Sequence, residues 1–152
     1  MSDVVHSTVL GRLDEFDVGE RAVERVIVGS DDLAKRILRF ATSAGDIGVR
    51  FFGVQRLRDG DVIYADERVV IAVLVEADDV LVLRPATIAA AIGLAHALGN
   101  RHLPIHADGD AIVVRYDPLL EPLAAEHHVP ASRERRVLPK AFRHANAPHR
   151  HE

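Results

Sequence analysis

The hydrophobic pattern of this 152-residue chain changes period near Glu76-Ala77-Asp78-Asp79, so no single repetitive architecture satisfies both halves. Ahead of that point apolar residues alternate. Ile37, Leu38, Phe40 and Thr42 lead into the turn Ser43-Ala44-Gly45-Asp46, and Ile47, Val49 and Phe51 return from it. A period of two places successive side chains on opposite faces of a strand, one buried and one wet, as in an antiparallel sheet. Further strands are predicted around Val4, Val5, Val9 and Leu10, at Val23 to Val28, at Val62-Ile63-Tyr64 and at Val69 to Val75. A turn near Asp31 to Lys35 is the one helical feature expected, and residues 1–76 read as a small β domain.

Beyond the switch, Val80 to Leu83 reads as a short strand and the Ala-rich stretch 86–98 as a helix. At 100° per residue Ile88, Ala91, Ile92, Leu94, Ala95 and Leu98 share one side, which predicts the core face. His96 falls beside the Ile88/Ile92 stripe, either as a histidine at a packing boundary or as a ligand. Gly99 is the predicted helix stop, since glycine takes the left-handed conformation without a Cβ penalty. Leu103 to Ala107 and Ile112 to Tyr116 then form a hairpin about Asp108-Gly109-Asp110. Asp117-Pro118 opens a second helix with a capping carboxylate and an early proline. Its apolar face is read as Leu119, Leu120, Leu123 and Ala124, while Pro122 predicts a bent or shifted start. The helix ends near His127-His128, and Arg133 to Leu138 return as a last strand. The order strand, helix, strand, strand, helix, strand is the ferredoxin-like split βαβ unit. The fold class is therefore α+β: an N-terminal antiparallel β domain (1–76), a ferredoxin-like βαββαβ domain (77–144) and a mobile tail (145–152).

Composition removes several functions. Without cysteine the chain has no disulfide, no thiolate metal site and no cysteine nucleophile. No apolar run approaches the roughly 18 residues of a membrane span, and the acidic first twenty residues do not resemble a signal peptide, so the cytoplasm is expected. Arg133, Arg135, Arg136, Lys140, Arg143 and Arg150 make the end basic, yet the chain carries a net charge of −4. No aromatic stacking platform accompanies that charge, which argues against nucleic acid. Phosphate-loop, dinucleotide, zinc-protease and nucleophile-elbow motifs are missing.

What remains is histidine. Nine are present, and all but His6 lie in the second half. His102 follows the helix on a tight corner, where unpaired carbonyls favour an imidazolium or a metal cation. A Gly-Asn pair after a helix is also an ordinary cap, and a metal site normally takes about four donors. A symmetric dimer would supply two copies of His102, and the tail adds His144, His149 and His151.

The stretch Leu98-Gly99-Asn100-Arg101-His102 with Pro104, the β-rich first half with Arg39-Phe40 and Thr42-Ser43-Ala44-Gly45, and Gly60-Asp61 resemble the urease accessory protein UreE family. The resemblance covers roughly residues 20–145. It implies a non-enzymatic nickel metallochaperone with a β domain likened to a peptide-binding domain of Hsp40 chaperones and a ferredoxin-like metal-binding domain. It further implies a homodimer in which paired His102 residues meet, with tail histidines among His144, His149 and His151 completing the coordination. The cargo would be Ni²⁺, with Zn²⁺ or Cu²⁺ competing in vitro because imidazole suits all three. The partners would be the accessory GTPase and the urease apoprotein assembly complex. Two departures matter: Asp117-Pro118 stands where some members carry a histidine pair, and the tail holds two histidines in its last four residues rather than a long polyhistidine run.

Two other readings stay open from the residues. A metal-dependent hydrolase would use His102 and His106 as ligands and Asp108 or Asp110 as base; a peptide-binding module would use exposed strand edges of the first half. Histidine ligation carries a further expectation, since imidazole must be neutral to bind: metal affinity weakens as pH falls through roughly 6.5.

Overall fold

The computed structural model describes residues 5–142, which divide into two compact units. One comprises the chain up to Ala77 together with Val137–Ala141; the other comprises Asp78–Arg136 and resumes at Phe142.

The first unit is built from β1 (Val5–Ser7), β2 (Gly11–Arg12), β3 (Ala22–Val28), β4 (Ile37–Thr42), β5 (Gly45–Arg50), β6 (Asp61–Ala65) and β7 (Val69–Val75). They form two sheets of order β1-β5-β4 and β2-β6-β7-β3. Val26, Leu38, Ile47, Val49, Ile63 and Ile71 from both sheets fill one core. The opposite face of the second sheet is covered by Leu13, Phe16 and Val18 against Val62, Val70 and Ala72. Two pairings, β1 with β5 and β3 with β7, are parallel, so the sheets are mixed rather than purely antiparallel. Strand β7, covered on both faces, reads as a nearly continuous apolar run, the pattern of a doubly buried strand. The segment around Val4 to Leu10, expected as one strand, supplies β1 to one sheet and leads into β2 of the other.

Several residues that carried the family resemblance serve turns. The Thr42 hydroxyl accepts from the Ala44 N–H (3.1 Å) and donates to the Gly45 carbonyl (2.7 Å), with Gly45 at φ +98°. Asp61 accepts from the Arg58 N–H (2.8 Å) and faces Arg12 at 3.6 Å. Its burial pushes the carboxyl above the ordinary value, opposed by the Arg58 N–H and the Arg12 charge.

The second unit contains β8 (Asp78–Leu83), α1 (Ile88–Asn100), β9 (Ile105–Asp108), β10 (Ala111–Arg115), α2 (Leu120–Glu126) and β11 (Ala131–Arg136). Its sheet order is β11-β8-β10-β9 with every pairing antiparallel, which is the ferredoxin-like arrangement the element order predicts. Leu81, Leu83 and Val114 of the sheet pack on Leu94 and Leu98 of α1 and on Leu120, Leu123 and Ala124 of α2. Pro122 lies in the first turn of α2, where a missing N–H leaves no bond unmade, and the helix starts two residues beyond Pro118. Asp117 instead accepts from the Leu119 N–H (2.9 Å).

The faces of both helices differ from the projection. On α1 the buried residues are Leu94 and Leu98, with Ala90 and Ala97 beside them, whereas Ile88 and Ile92 are 80% and 64% exposed. The small alanines let the helix lie close to the sheet and turn its isoleucines outward. Leu119 likewise precedes α2 and is exposed.

Candidate metal centre

Helix α1 begins at Thr87, whose side chain accepts from the Ala90 N–H (3.1 Å), and it does not stop at Gly99. The helix runs through Asn100, Arg101 closes it, and the left-handed residue is His102 itself, at φ +55°. The His102 N–H donates to the Gly99 carbonyl (3.0 Å) and the Leu103 N–H to the Leu98 carbonyl (3.2 Å). These are the paired bonds of a Schellman cap, accompanied by its usual apolar contact, since Leu98 and Leu103 share one core. Glycine normally fills the left-handed place; a residue with a Cβ there is strained by about 1–2 kcal/mol. His102 is nonetheless exposed.

Helix α2 ends the same way. His128 sits at φ +56°, its N–H donates to the Ala125 carbonyl (3.0 Å), and the Val129 N–H donates to the Ala124 carbonyl (2.9 Å). No hydrophobic periodicity marks this repetition. Its signal is the parallel between His102-Leu103-Pro104 and His128-Val129-Pro130, each a left-handed histidine, an apolar anchor and a proline that prevents the helix from resuming.

The remaining histidines are dispersed. His96 is exposed, outside the boundary packing that one reading gave it. His106 is buried on β9, its ring 4.5 Å from that of Phe142 and tilted by 47°, and the Arg115 guanidinium lies 5.1 Å from the same phenyl ring. His127 is half-buried against α1, its Nδ1 3.3 Å from where a Cβ on Gly93 would stand. His6 belongs to β1 of the other unit. His144, His149 and His151 lie outside the described residues. Among the described residues no group of three or more His, Asp and Glu side chains could hold a metal ion. Asp108 and Asp110 flank Gly109, at φ +56°, in the β9–β10 turn. The hydrolase reading therefore finds no assembled ligand set in this part of the chain, and His102 stands as one exposed imidazole at a helix end.

Electrostatics elsewhere in the unit are structural. Arg133 forks onto Asp79 (2.8 and 3.1 Å) and lies 3.7 Å from the Tyr116 ring. That hydrogen bonding holds the Asp79 carboxyl below its ordinary value and raises the Arg133 guanidinium. Among the described residues no helix is long and apolar enough to cross a membrane.

The architecture is thus that of a two-unit α+β protein: a β unit, then a ferredoxin-like unit that presents histidine at a helix end. Residues 7–76 match the family described as UreE urease accessory protein, N-terminal domain, and residues 78–152 match its C-terminal domain. The urease accessory protein UreE of Bacillus sp. (strain TB-90) is 40% identical over 145 residues, covering 95% of this chain and 97% of the relative. That of Geobacillus kaustophilus is 37% identical over 150 residues, covering 98% and 100%, and that of Staphylococcus aureus (strain MRSA252) is 40% identical over 131 residues, covering 86% and 87%. The chain belongs to the UreE family of urease accessory proteins.

Proposed function

We propose that this protein is a cytoplasmic nickel carrier for urease maturation, binding Ni²⁺ at a homodimer interface through His102 of each subunit and through tail histidines among His144, His149 and His151. The observation that carries the reading is the exposed imidazole of His102 in a left-handed cap position at the end of a helix whose outer face carries the exposed Ile88 and Ile92. Strain at such a position is a pointer to function only together with a surface that a second chain could cover. Support for a shared site comes from α1. Ile88 and Ile92 fall on one exposed face at helical spacing, and His96 and Gly99 continue that face toward His102. A second copy laid on this stripe about a twofold axis would cover the isoleucines and bring the two corners toward each other.

In this account the protein is a carrier and not a catalyst. Donors drawn from two chains and a tail are each held by effective concentration, so the ion is released stepwise to an acceptor such as the accessory GTPase or the urease apoprotein complex. Imidazole donors do not discriminate strongly between Ni²⁺, Zn²⁺ and Cu²⁺, and competition by both is expected. The test is nickel calorimetry with mass determination on the wild type, Ile92→Glu and a chain lacking residues 144–152. The account expects one tight ion per dimer, loss of that site with loss of the dimer in Ile92→Glu, and weakened binding without unfolding in the truncated chain. A monomeric wild type, or unchanged nickel affinity in both variants, would contradict it.

A further inference from the structure

After β11 the chain returns to the second unit at Phe142, and the seat it takes there lies on the strand that leads away from the His102 corner. His106 on the edge strand β9 stands opposite Val113 of β10, which stands opposite Val82 of β8. Their neighbours along the strands, Leu81, Leu83 and Val114, pack against the helices. Alternation therefore puts His106, Val113 and Val82 on the other face of the sheet, where all three are buried. Phe142, itself buried, lies against the His106 end of this row, with ring centroids 4.5 Å apart. The Arg115 guanidinium, two residues along β10 from Val113, stands 5.1 Å from the same phenyl ring. Ring contact and cation–π attraction both hold the phenyl group in that seat.

Two ties bind this part of the chain to β9. Arg136, the last residue of β11, donates to the Asp108 carboxylate of β9 (2.8 Å). Val137–Ala141 then belong to the first unit, where Ala141 packs on the core, and Phe142 returns to His106. His106 follows His102 by four residues, a span of about 14 Å at most, and His144 follows Phe142 by two, about 7 Å at full extension. Residues 144–152 are thus attached to the same body that carries the corner. Without the seat, the last packed residue before them is Ala141, on the body that does not.

We propose that Phe142 and His106 are positioning residues for nickel binding: their ring contact moors the root of the tail beside the strand that leaves the corner. Mooring raises the effective concentration of the tail histidines at His102. The inference rests on the reading of His102 and the tail as donors, and it gives the buried His106 a part in holding the tail instead of a place among the ligands.

The test is nickel calorimetry on the wild type, Phe142→Ala and His106→Ala, each as the full chain and lacking residues 144–152, at temperatures below every melting transition. Both substitutions are expected to weaken nickel binding by roughly three- to tenfold in the full chain and to leave the weaker binding of the truncated chain unchanged. Phe142→Tyr, which keeps a ring, should bind as the wild type does. If truncation weakens binding while Phe142→Ala and His106→Ala do not, the tail binds without a mooring; the inference is overturned and the carrier reading stands. Equal losses in full and truncated chains would also overturn it, because the two rings would then act on the corner or on the fold. Truncation without effect would refute tail ligation itself, and the inference would fall with it.

Discussion

The two helix ends of the second unit share one backbone geometry and differ in what surrounds them. His102 and His128 occupy the same left-handed place in the same cap, each followed by an apolar anchor and a proline. Around His128, the preceding His127 is half-buried against Gly93, tying the end of α2 to the flank of α1. Around His102, the preceding Arg101 is exposed, and the helix leading to it carries two exposed isoleucines. Strain alone therefore does not define a site. A strained histidine becomes a candidate ligand where the adjoining surface is one that a second chain could cover.

The anchors should produce the largest effects. Leu98 is fully buried and supplies the carbonyl that the Leu103 N–H bonds, so Leu98→Ala is expected to lower unfolding free energy by about 2–5 kcal/mol in denaturant titrations. An equally large loss from His102→Ala would break the comparison, because the cap and not its histidine is held to stabilise the corner. Next come the glycine exchanges. His102→Gly and His128→Gly should each raise stability by about 0.5–1 kcal/mol, the relief of left-handed strain less the extra freedom of unfolded glycine.

Smaller still is the coupling between His127 and Gly93. A methyl at position 93 would sit 3.3 Å from His127 Nδ1, so Gly93→Ala should be neutral or mildly destabilising in the wild type. In a His127→Ala background the same change should stabilise by up to about 1 kcal/mol, the helix preference for alanine. A double-mutant cycle reads the difference, and additivity would show that His127 does not lean on α1. The least effect belongs to the exposed pair Asp79–Arg133. Arg133 lowers the folded-state value of Asp79 below 3.8, so its contribution is present above that value and is lost as pH falls through the lowered one. Asp79→Asn should make the acid limb of a stability curve shallower below about pH 4, with little change at neutral pH.

Much of this was legible in the sequence, for reasons that particular residues make plain. The switch at Glu76 to Asp79 marks the boundary because period-two patterning stops where the Ala-rich helix becomes possible. The ferredoxin-like order followed from element order alone. The parallel pairings did not, since alternation reports which face is wet and not which strand lies alongside. The faces of α1 were misread because Ile88 and Ile92 outweigh alanine on any hydrophobicity scale, whereas close packing favoured Ala90 and Ala97. At the corner, Gly99 drew attention as the residue free to turn left-handed. The bonds to Leu98 and Gly99 show that the turn falls three residues later, on the histidine.

The central claim is that His102 is kept in a strained cap for metal and that His128, in the same cap, is not. The most direct measurement is the melting temperature of wild type, His102→Gly and His128→Gly, each with and without nickel. An ion bound only by the folded state at a hundredfold excess over its dissociation constant adds about 2.7 kcal/mol, enough to shift the transition by several degrees. The account predicts that both variants melt above the wild type without metal, that His128→Gly keeps the nickel-induced rise, and that His102→Gly loses it. A rise retained in His102→Gly, or lost equally in both, would contradict it.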